Sequence, residues 1–265
     1  MQPGPAAPSA GDAARPAGDA ARPAGGSGGV VPPGQAQLAG VLFDMDGLLV
    51  DSEPLWFEVE CAVMARLGGQ WGPADAHALI GGSLNRTVSY LLARAAQPAR
   101  ASRHEVARWL LDGMTELMLT RSLPVKPGAR ELLTEVADAG IPHALVTSSA
   151  RQIMRTALTV TGMSFPVTVC SEDVRNTKPD PEPYLLATAR LGMAPGGCVV
   201  LEDSPSGAAA ARAAGCPVIV VPSVPIPAAP GIVTVKSLAV VDLAMLAEVV
   251  DGKSDVQGRA VTEKF

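Results

Sequence analysis

The chain has 265 residues, 48% of them hydrophobic, a formal net charge of −5 and a pI of about 5.3. It shows no basic patch and only 3% aromatics, so neither a phosphate-backbone footprint nor a stacking platform for nucleic acid is expected. Pro217, Pro222, Pro225, Pro227 and Pro230 interrupt the apolar run from Cys216 to Val235, which argues against a membrane helix there.

Residues 1–36 are almost entirely Ala, Gly and Pro, and GDAARPA at Gly11–Ala17 repeats as Gly18–Ala24. Such a segment has too little apolar surface to offset its ordering entropy, and it reads as a disordered tail. It lacks the basic start and apolar run of an export signal. Cys61, Cys170, Cys198 and Cys216 form no close pair, and His77, His104 and His143 are scattered. Buried thiols in a reducing compartment are therefore expected rather than a disulfide or zinc framework, with the cytoplasm as the location.

After the tail, short β-rich runs occur at Gly40–Phe43, His143–Val146, Val167–Cys170, Cys198–Leu201 and Val218–Val221. Helical stretches separate the last four: Arg151–Thr161, Pro181–Leu191 and Ser206–Ala214. Arg130–Ala139 is helical as well, with Gly140 where a helix end favours glycine. This alternation predicts an α/β fold, a Rossmann-like parallel sheet covered by helices on both faces. Pro54–Leu67, Asn85–Ala96 and Arg103–Leu119 read as amphipathic helices inserted after the first strand. The expected division is a core of residues 37–53 and 124–251, a helical cap of residues 54–123, and a C-terminal tail of residues 252–265.

Open parallel sheets bind ligands at the carboxyl ends of their strands. The first strand ends in Asp44-Met45-Asp46-Gly47, the second in Thr147-Ser148-Ser149, the fourth in Glu202-Asp203-Ser204, and Lys178-Pro179 precedes the helix at Pro181. A convergence of acids needs a cation, and hard oxygen ligands suit Mg²⁺. Lysine and hydroxyls beside it suit a phosphoryl group. Asp44 would be the nucleophile. Asp46, its side chain kept off the metal, would trade a proton with the leaving oxygen and then with water, and Gly47 would allow the turn between them. Each piece alone has a plainer reading: DMDG as a fragment of a Ca²⁺ loop, TSS as a turn, EDS as a helix cap. Their order and their placement at strand ends carry the argument.

Together, DMDGLLVDSEP, VTSS, Lys178-Pro179 and LEDSPSG resemble the motifs of the haloacid dehalogenase-like superfamily, in the branch of beta-phosphoglucomutase and the small sugar-phosphate phosphatases. The resemblance runs from about Leu38 to Val250. It implies that Ser148 and Thr147 hold phosphoryl oxygens and that Lys178 steadies Asp44 and the phosphate. It also implies that Mg²⁺ is held by Asp44, the Asp46 carbonyl and Asp203, with Glu202 in or next to its shell. Thr177 stands where the family usually has glycine. An aspartate at position 46 favours phosphate monoester chemistry over the family's ATPase and dehalogenase reactions. The mutases carry a histidine where Trp56 stands and an arginine where Leu84 stands, and EPLW resembles the hexose and hexitol phosphate phosphatases. Trp56, Gly82 and Ser83 are thus expected to shape the substrate pocket. The expected function is Mg²⁺-dependent hydrolysis of a small phosphorylated metabolite, a sugar or polyol phosphate, through an aspartyl-phosphate, by a monomer or small homo-oligomer. A phosphosugar mutase and a non-catalytic phosphosugar-binding protein are the other readings.

Overall fold

The computed structural model describes Met1 and residues 38–96, 101–226, 229 and 231–252. The tails expected at 1–36 and 252–265 lie outside these residues, apart from Met1 and Gly252. Among the described residues, six strands form one sheet: β1 (Gly40–Phe43), β2 (His143–Val146), β3 (Val167–Val169), β4 (Cys198–Glu202), β5 (Val218–Val220) and β6 (Ile232–Thr234). Every pairing is parallel, and the order is β3-β2-β1-β4-β5-β6.

The inner strands β1, β2, β4 and β5 are apolar because both their faces are covered. Val41, Phe43, Leu145, Val199, Leu201 and Ile219 point to one face, and Leu42, Ala144, Val146, Val200, Val218 and Val220 to the other. All twelve are fully buried. Each larger aliphatic side chain removed from water contributes about 1.5–3 kcal/mol, so a polar residue at any of these positions would cost more than one edge contact. The first face is covered by α5 (Ala129–Asp138), α6 (Arg151–Thr161) and α9 (Leu243–Val250). The second is covered by α7 (Glu182–Leu191) and α8 (Pro205–Ala213). Alanines 208, 210, 211 and 214 let α8 lie close to the strands.

Between β1 and α5 the chain forms α1 (Glu53–Arg66), α2 (Pro73–His77), α3 (Leu84–Arg94) and α4 (Arg103–Thr120). α4 begins in a reciprocal cap: Ser102 N donates to Glu105 Oε2 at 2.8 Å, and Glu105 N donates to Ser102 Oγ at 3.3 Å. Its buried stripe of Val106, Leu110, Met114 and Met118 repeats every four residues. α4 packs against both α1 and α6. Gly113 permits the first approach, since a Cβ there would lie 3.1 Å from Val59 Cγ1. The segments leading into and out of the insertion run side by side: Val50 bridges Val125 in antiparallel fashion, Asp51 N donates to Pro124 O at 2.8 Å, and Lys126 N donates to Leu49 O at 2.9 Å.

Three elements were not expected from the sequence. α2 has five residues, too few for a helical period to register. β6 has three residues and pairs with β5, and the prolines before it hide any strand pattern. α9 follows the last expected strand and is apolar on most sides. Cys170, Cys198 and Cys216 are buried and Cys61 partly so, and all four are free thiols. Among the described residues, no helix is long and apolar enough to cross a membrane.

Candidate active site

β1 and β4 lie side by side where the strand order reverses, with Phe43 opposite Leu201. The carboxyl ends of these two strands open a crevice of the kind that binds ligands in open α/β sheets. Asp44 follows β1 directly, its backbone N donating to Leu201 O at 3.0 Å. The chain then turns at Gly47, where φ is +83°, and a side chain there would run into the Asp203 carboxylate. Glycine is required at this position for its conformation and for the space it leaves.

Lys178 arrives from the loop before α7 and is almost wholly buried. Its Nζ donates to Asp44 Oδ1, to Glu202 Oε1 at 2.7 Å and to Val146 O at 2.8 Å. All three ammonium protons are thereby used, and the amine is fixed as a point charge between two acids. Burial disfavours that charge, but Asp44 and Glu202 outweigh burial and hold the amine above the usual lysine range.

Glu202 is fully buried and accepts from five donors. Oε1 takes Lys178 Nζ and Tyr184 Oη at 2.7 Å, and Oε2 takes Asp203 N at 2.9 Å and both Ser204 N and Ser204 Oγ at 3.1 Å. Gly207 makes room for it, because a Cβ there would overlap the carboxyl group. This carboxylate orients Lys178 and the Asp203 backbone and does not line the cleft. Burial opposes its ionisation, but Lys178 overrides burial and lowers its pKa.

Asp44, Glu202 and Asp203 each place a carboxylate oxygen within 4.8 Å of the others. Burial pushes Asp44 up to about 8; Lys178 works against the rise, and Glu202 and Asp46 add to it. Burial, then Asp44 and Glu202, raise Asp203 well above the carboxylate range. Three acids lie together, Lys178 bonds two of them, Asp44 and Glu202, and Asp44 and Asp203 line the cleft. This donor set is hard, anionic and short of positive charge, which is what a small divalent cation satisfies.

The Asp46 side chain is turned away from that cluster into a ring of hydroxyls. Ser52 Oγ donates to its Oδ1 at 2.6 Å, and Ser149 Oγ and Thr147 Oγ1 donate to its Oδ2 at 2.7 and 3.3 Å. Thr147 Oγ1 also accepts from Ser149 N at 3.0 Å, so Thr147 reaches the site through Asp46. Ser148 differs from its neighbours: its Oγ is buried and has no hydrogen-bond partner among the described residues. A buried hydroxyl is rarely left unpaired, and this one lines the cleft beside Lys178.

The cleft lies between the sheet and the inserted helices. Core residues from all four sequence motifs form its floor, and α1, α3, α4 and the loop after α2 form the opposite wall. Trp56 and Gly82 line it. Ser83 does not: its Oγ caps α3, accepting from Arg86 N at 3.4 Å. The Arg86 guanidinium points back to Ala78 O at 2.7 Å and braces the loop. Among the described lining residues, Lys178 is the one cationic side chain.

Ser52, Tyr184, Gly207, Glu53 and Glu60 escaped the sequence reading. Ser52 stands at the N-cap position of α1, yet makes no cap bond and gives its hydroxyl to Asp46. Gly207 was visible inside LEDSPSG, and its spacing from Glu202 was the available signal. Glu53 was visible inside DMDGLLVDSEP, whereas Tyr184 and Glu60 had no local signal.

A family model described as haloacid dehalogenase-like hydrolase matches residues 41–221. Hexitol phosphatase A of Escherichia coli (strain K12) is 37% identical over 183 residues, 69% of this chain and 82% of that protein. The phosphorylated carbohydrates phosphatase of Thermotoga maritima is 36% identical over 177 residues, 66% of this chain and 81% of that protein. Among solved structures, CbbY from Rhodobacter sphaeroides in complex with phosphate aligns over 79% of this chain and 99% of its own, at a TM-score of 0.73 and 26% identity. The match over residues 41–221, which hold all four motifs, with relatives above one-third identity, makes this chain a member of the haloacid dehalogenase-like hydrolase family.

Proposed function

We propose that the chain is a Mg²⁺-dependent phosphatase that hydrolyses a small phosphorylated metabolite, a sugar or polyol phosphate, through an aspartyl-phosphate. The observation that carries this reading is the grouping on one cleft floor of Asp44, Asp203, Lys178 and the unpartnered Ser148 hydroxyl. The phosphatase names of the relatives above one-third identity support it.

Asp44, Asp203 and the backbone carbonyl of Asp46 would hold Mg²⁺, with Glu202 behind them. When bound, the ion offsets charge on the phosphoryl oxygens and keeps the two acids ionised. Ser148 Oγ donates to a phosphoryl oxygen, and Lys178 holds Asp44 in line. An Asp44 oxygen attacks phosphorus, the ester P–O bond breaks, and Asp46 gives its proton to the departing alkoxide oxygen. Asp46, ionised again, takes a proton from water. The hydroxide attacks phosphorus, the P–O bond to Asp44 breaks, and phosphate leaves with Asp44 restored. The Ser52, Thr147 and Ser149 hydroxyls hold Asp46 in reach of both oxygens.

Residues 54–123 are read as a cap whose paired connectors at Val50 and Val125 act as the hinge. Closure would exclude water during phosphoryl transfer. A cytoplasmic location fits the four free thiols. The mutase reading needs a cation to grip a second phosphate. Among the described residues the cleft wall offers none, and Arg86 is committed to Ala78 O.

Phosphate release from a panel of sugar and polyol monophosphates tests the proposal. Turnover is expected with Mg²⁺ and is abolished by EDTA. Isomer formation without free phosphate would establish the mutase instead.

Proton linkage gives a second expectation. Asp44, at about 8, and Asp203 have pKa values raised above their unfolded ones; burial likewise lifts Glu53 and Glu60 to about 7. From about pH 4 to 8 the folded state therefore binds more protons than the unfolded chain, and stability falls as pH rises. Glu202 is shifted the other way from 4.5, so its contribution is lost only at lower pH. Lys178 is shifted up from 10.5, so its contribution is intact throughout the window. The Tm of EDTA-treated protein should be higher at pH 5 than at pH 8, and Mg²⁺ should raise it most at pH 8. A Tm that climbs with pH in EDTA would contradict the charge arrangement.

A further inference from the structure

Glu53, Trp56 and Glu60 recur at three- and four-residue spacing on one face of α1, and all three line the cleft. A helix covering a core would present apolar side chains there. Glu60 is 5% exposed, and among the described residues the one donor to its carboxylate is Trp71 Nε1, at 3.2 Å to Oε2. Among the described residues neither arginine nor lysine pairs with it. A carboxylate so withdrawn from water needs several donors, as Glu202 has beneath the cleft floor. Burial pushes Glu60 up to about 7, with Trp71 resisting and Glu53 adding to the rise, the direction of an acid short of donors.

Trp71 is itself held in place. Its ring meets Tyr90 edge-on at 5.6 Å, Tyr90 Oη donates to Asp75 Oδ1 at 3.1 Å, and Arg94 pairs with Asp75 at 3.0 Å. One oxygen of Glu60 is thus fixed by a braced indole, and the carboxylate faces the cleft with acceptor capacity left over.

We propose that Glu60, positioned by Trp71, is a specificity-determining residue that accepts hydroxyl groups from the unphosphorylated end of the substrate. This rests on the phosphatase reading and deepens it. Hydroxyls supply the donors that the carboxylate lacks, whereas a second phosphate, rich in acceptors, would meet the acceptor oxygens of Glu53 and Glu60. The Trp56 ring beside them offers an apolar surface to the carbon chain. The wall selects for hydroxylation and against charge at the far end, while the floor handles the phosphate common to all esters.

The test compares kcat/KM for sorbitol 6-phosphate and phenyl phosphate in wild type, Glu60→Leu, Glu60→Gln and Trp71→Phe, with Mg²⁺ present. Glu60→Leu is expected to lower the ratio of the two values roughly ten- to a hundredfold, the worth of hydrogen bonds to a charged acceptor, and to do so mainly through KM. Glu60→Gln keeps an oxygen that can accept from Trp71 and should lose less. Trp71→Phe should raise KM for the polyol ester with little change in kcat. A ratio unchanged in Glu60→Leu overturns the role. So does an equal fall for both esters, which would mark Glu60 as structural. If wild type turns over phenyl phosphate with no preference for the polyol ester, this inference fails and the phosphatase reading stands. If wild type turns over neither, both fail.

Discussion

Replacing Asp44 by asparagine is expected to lower phosphate release on the order of 10³-fold or more, the scale on which loss of a nucleophile acts, without unfolding the protein. Asparagine keeps an oxygen that can accept from Lys178 and preserves the shape of the turn into Gly47. It also removes a carboxyl that burial has pushed up to about 8. In EDTA at pH 8 the variant should therefore melt no lower than wild type. The two readouts are separable: phosphate release reports the chemistry and Tm reports the fold. Acid quenching with a labelled ester should place phosphate on Asp44 in wild type and not in the variant. Appreciable turnover by the asparagine variant would end the nucleophile assignment.

Lys178→Met should be damaging in both respects. The methionine fills similar volume, but it leaves Asp44 and Glu202 buried without their cation and Val146 O without its donor. Removing one partner from a buried ion pair costs about 3–5 kcal/mol, a large fraction of the ~5–15 kcal/mol that keeps a domain folded. Tm should fall by roughly 10 °C or more. Activity should fall at least about a hundredfold, because Asp44 loses the group that orients it. The double variant Lys178→Met/Glu202→Gln removes the orphaned Glu202 charge as well. It should recover part of the Tm and none of the activity. If the double variant melts below the single one, Glu202 does not depend on Lys178 in the way its hydrogen bonds imply.

Which parts of this site could be read from the chain depends on how each residue reaches it. Asp44, Thr147, Ser148 and Asp203 end strands, and a strand end is legible because an apolar run stops in polar residues. Lys178 was legible only as one member of an ordered set of motifs. The roles of Glu202 and Asp203 were not separable locally. They are adjacent and chemically alike, yet five donors enclose one while the other faces the cleft. Ser83 shows the reverse case: a loop serine beside the pocket caps its own helix instead. Ser52 looks like a helix cap and serves Asp46. A hydroxyl has several partners within reach, and only the folded neighbourhood decides among them.

The sequence alone determined the parallel α/β sheet, the helical insertion after β1, and the strand-end acids with their lysine and hydroxyls. Each of these is written in local patterns: alternation of strand and helix, apolar runs that stop in polar residues, glycines at forced turns. Tertiary structure alone decided that Glu202 lies beneath the site while Asp203 faces it, that Ser148 keeps an unpaired hydroxyl, and that Glu53 and Glu60 turn inward to form an acidic wall. Those outcomes depend on which side chains from distant segments meet, and on how much water remains between them. Burial and charge pairing are properties of that meeting, and no stretch of chain carries them by itself.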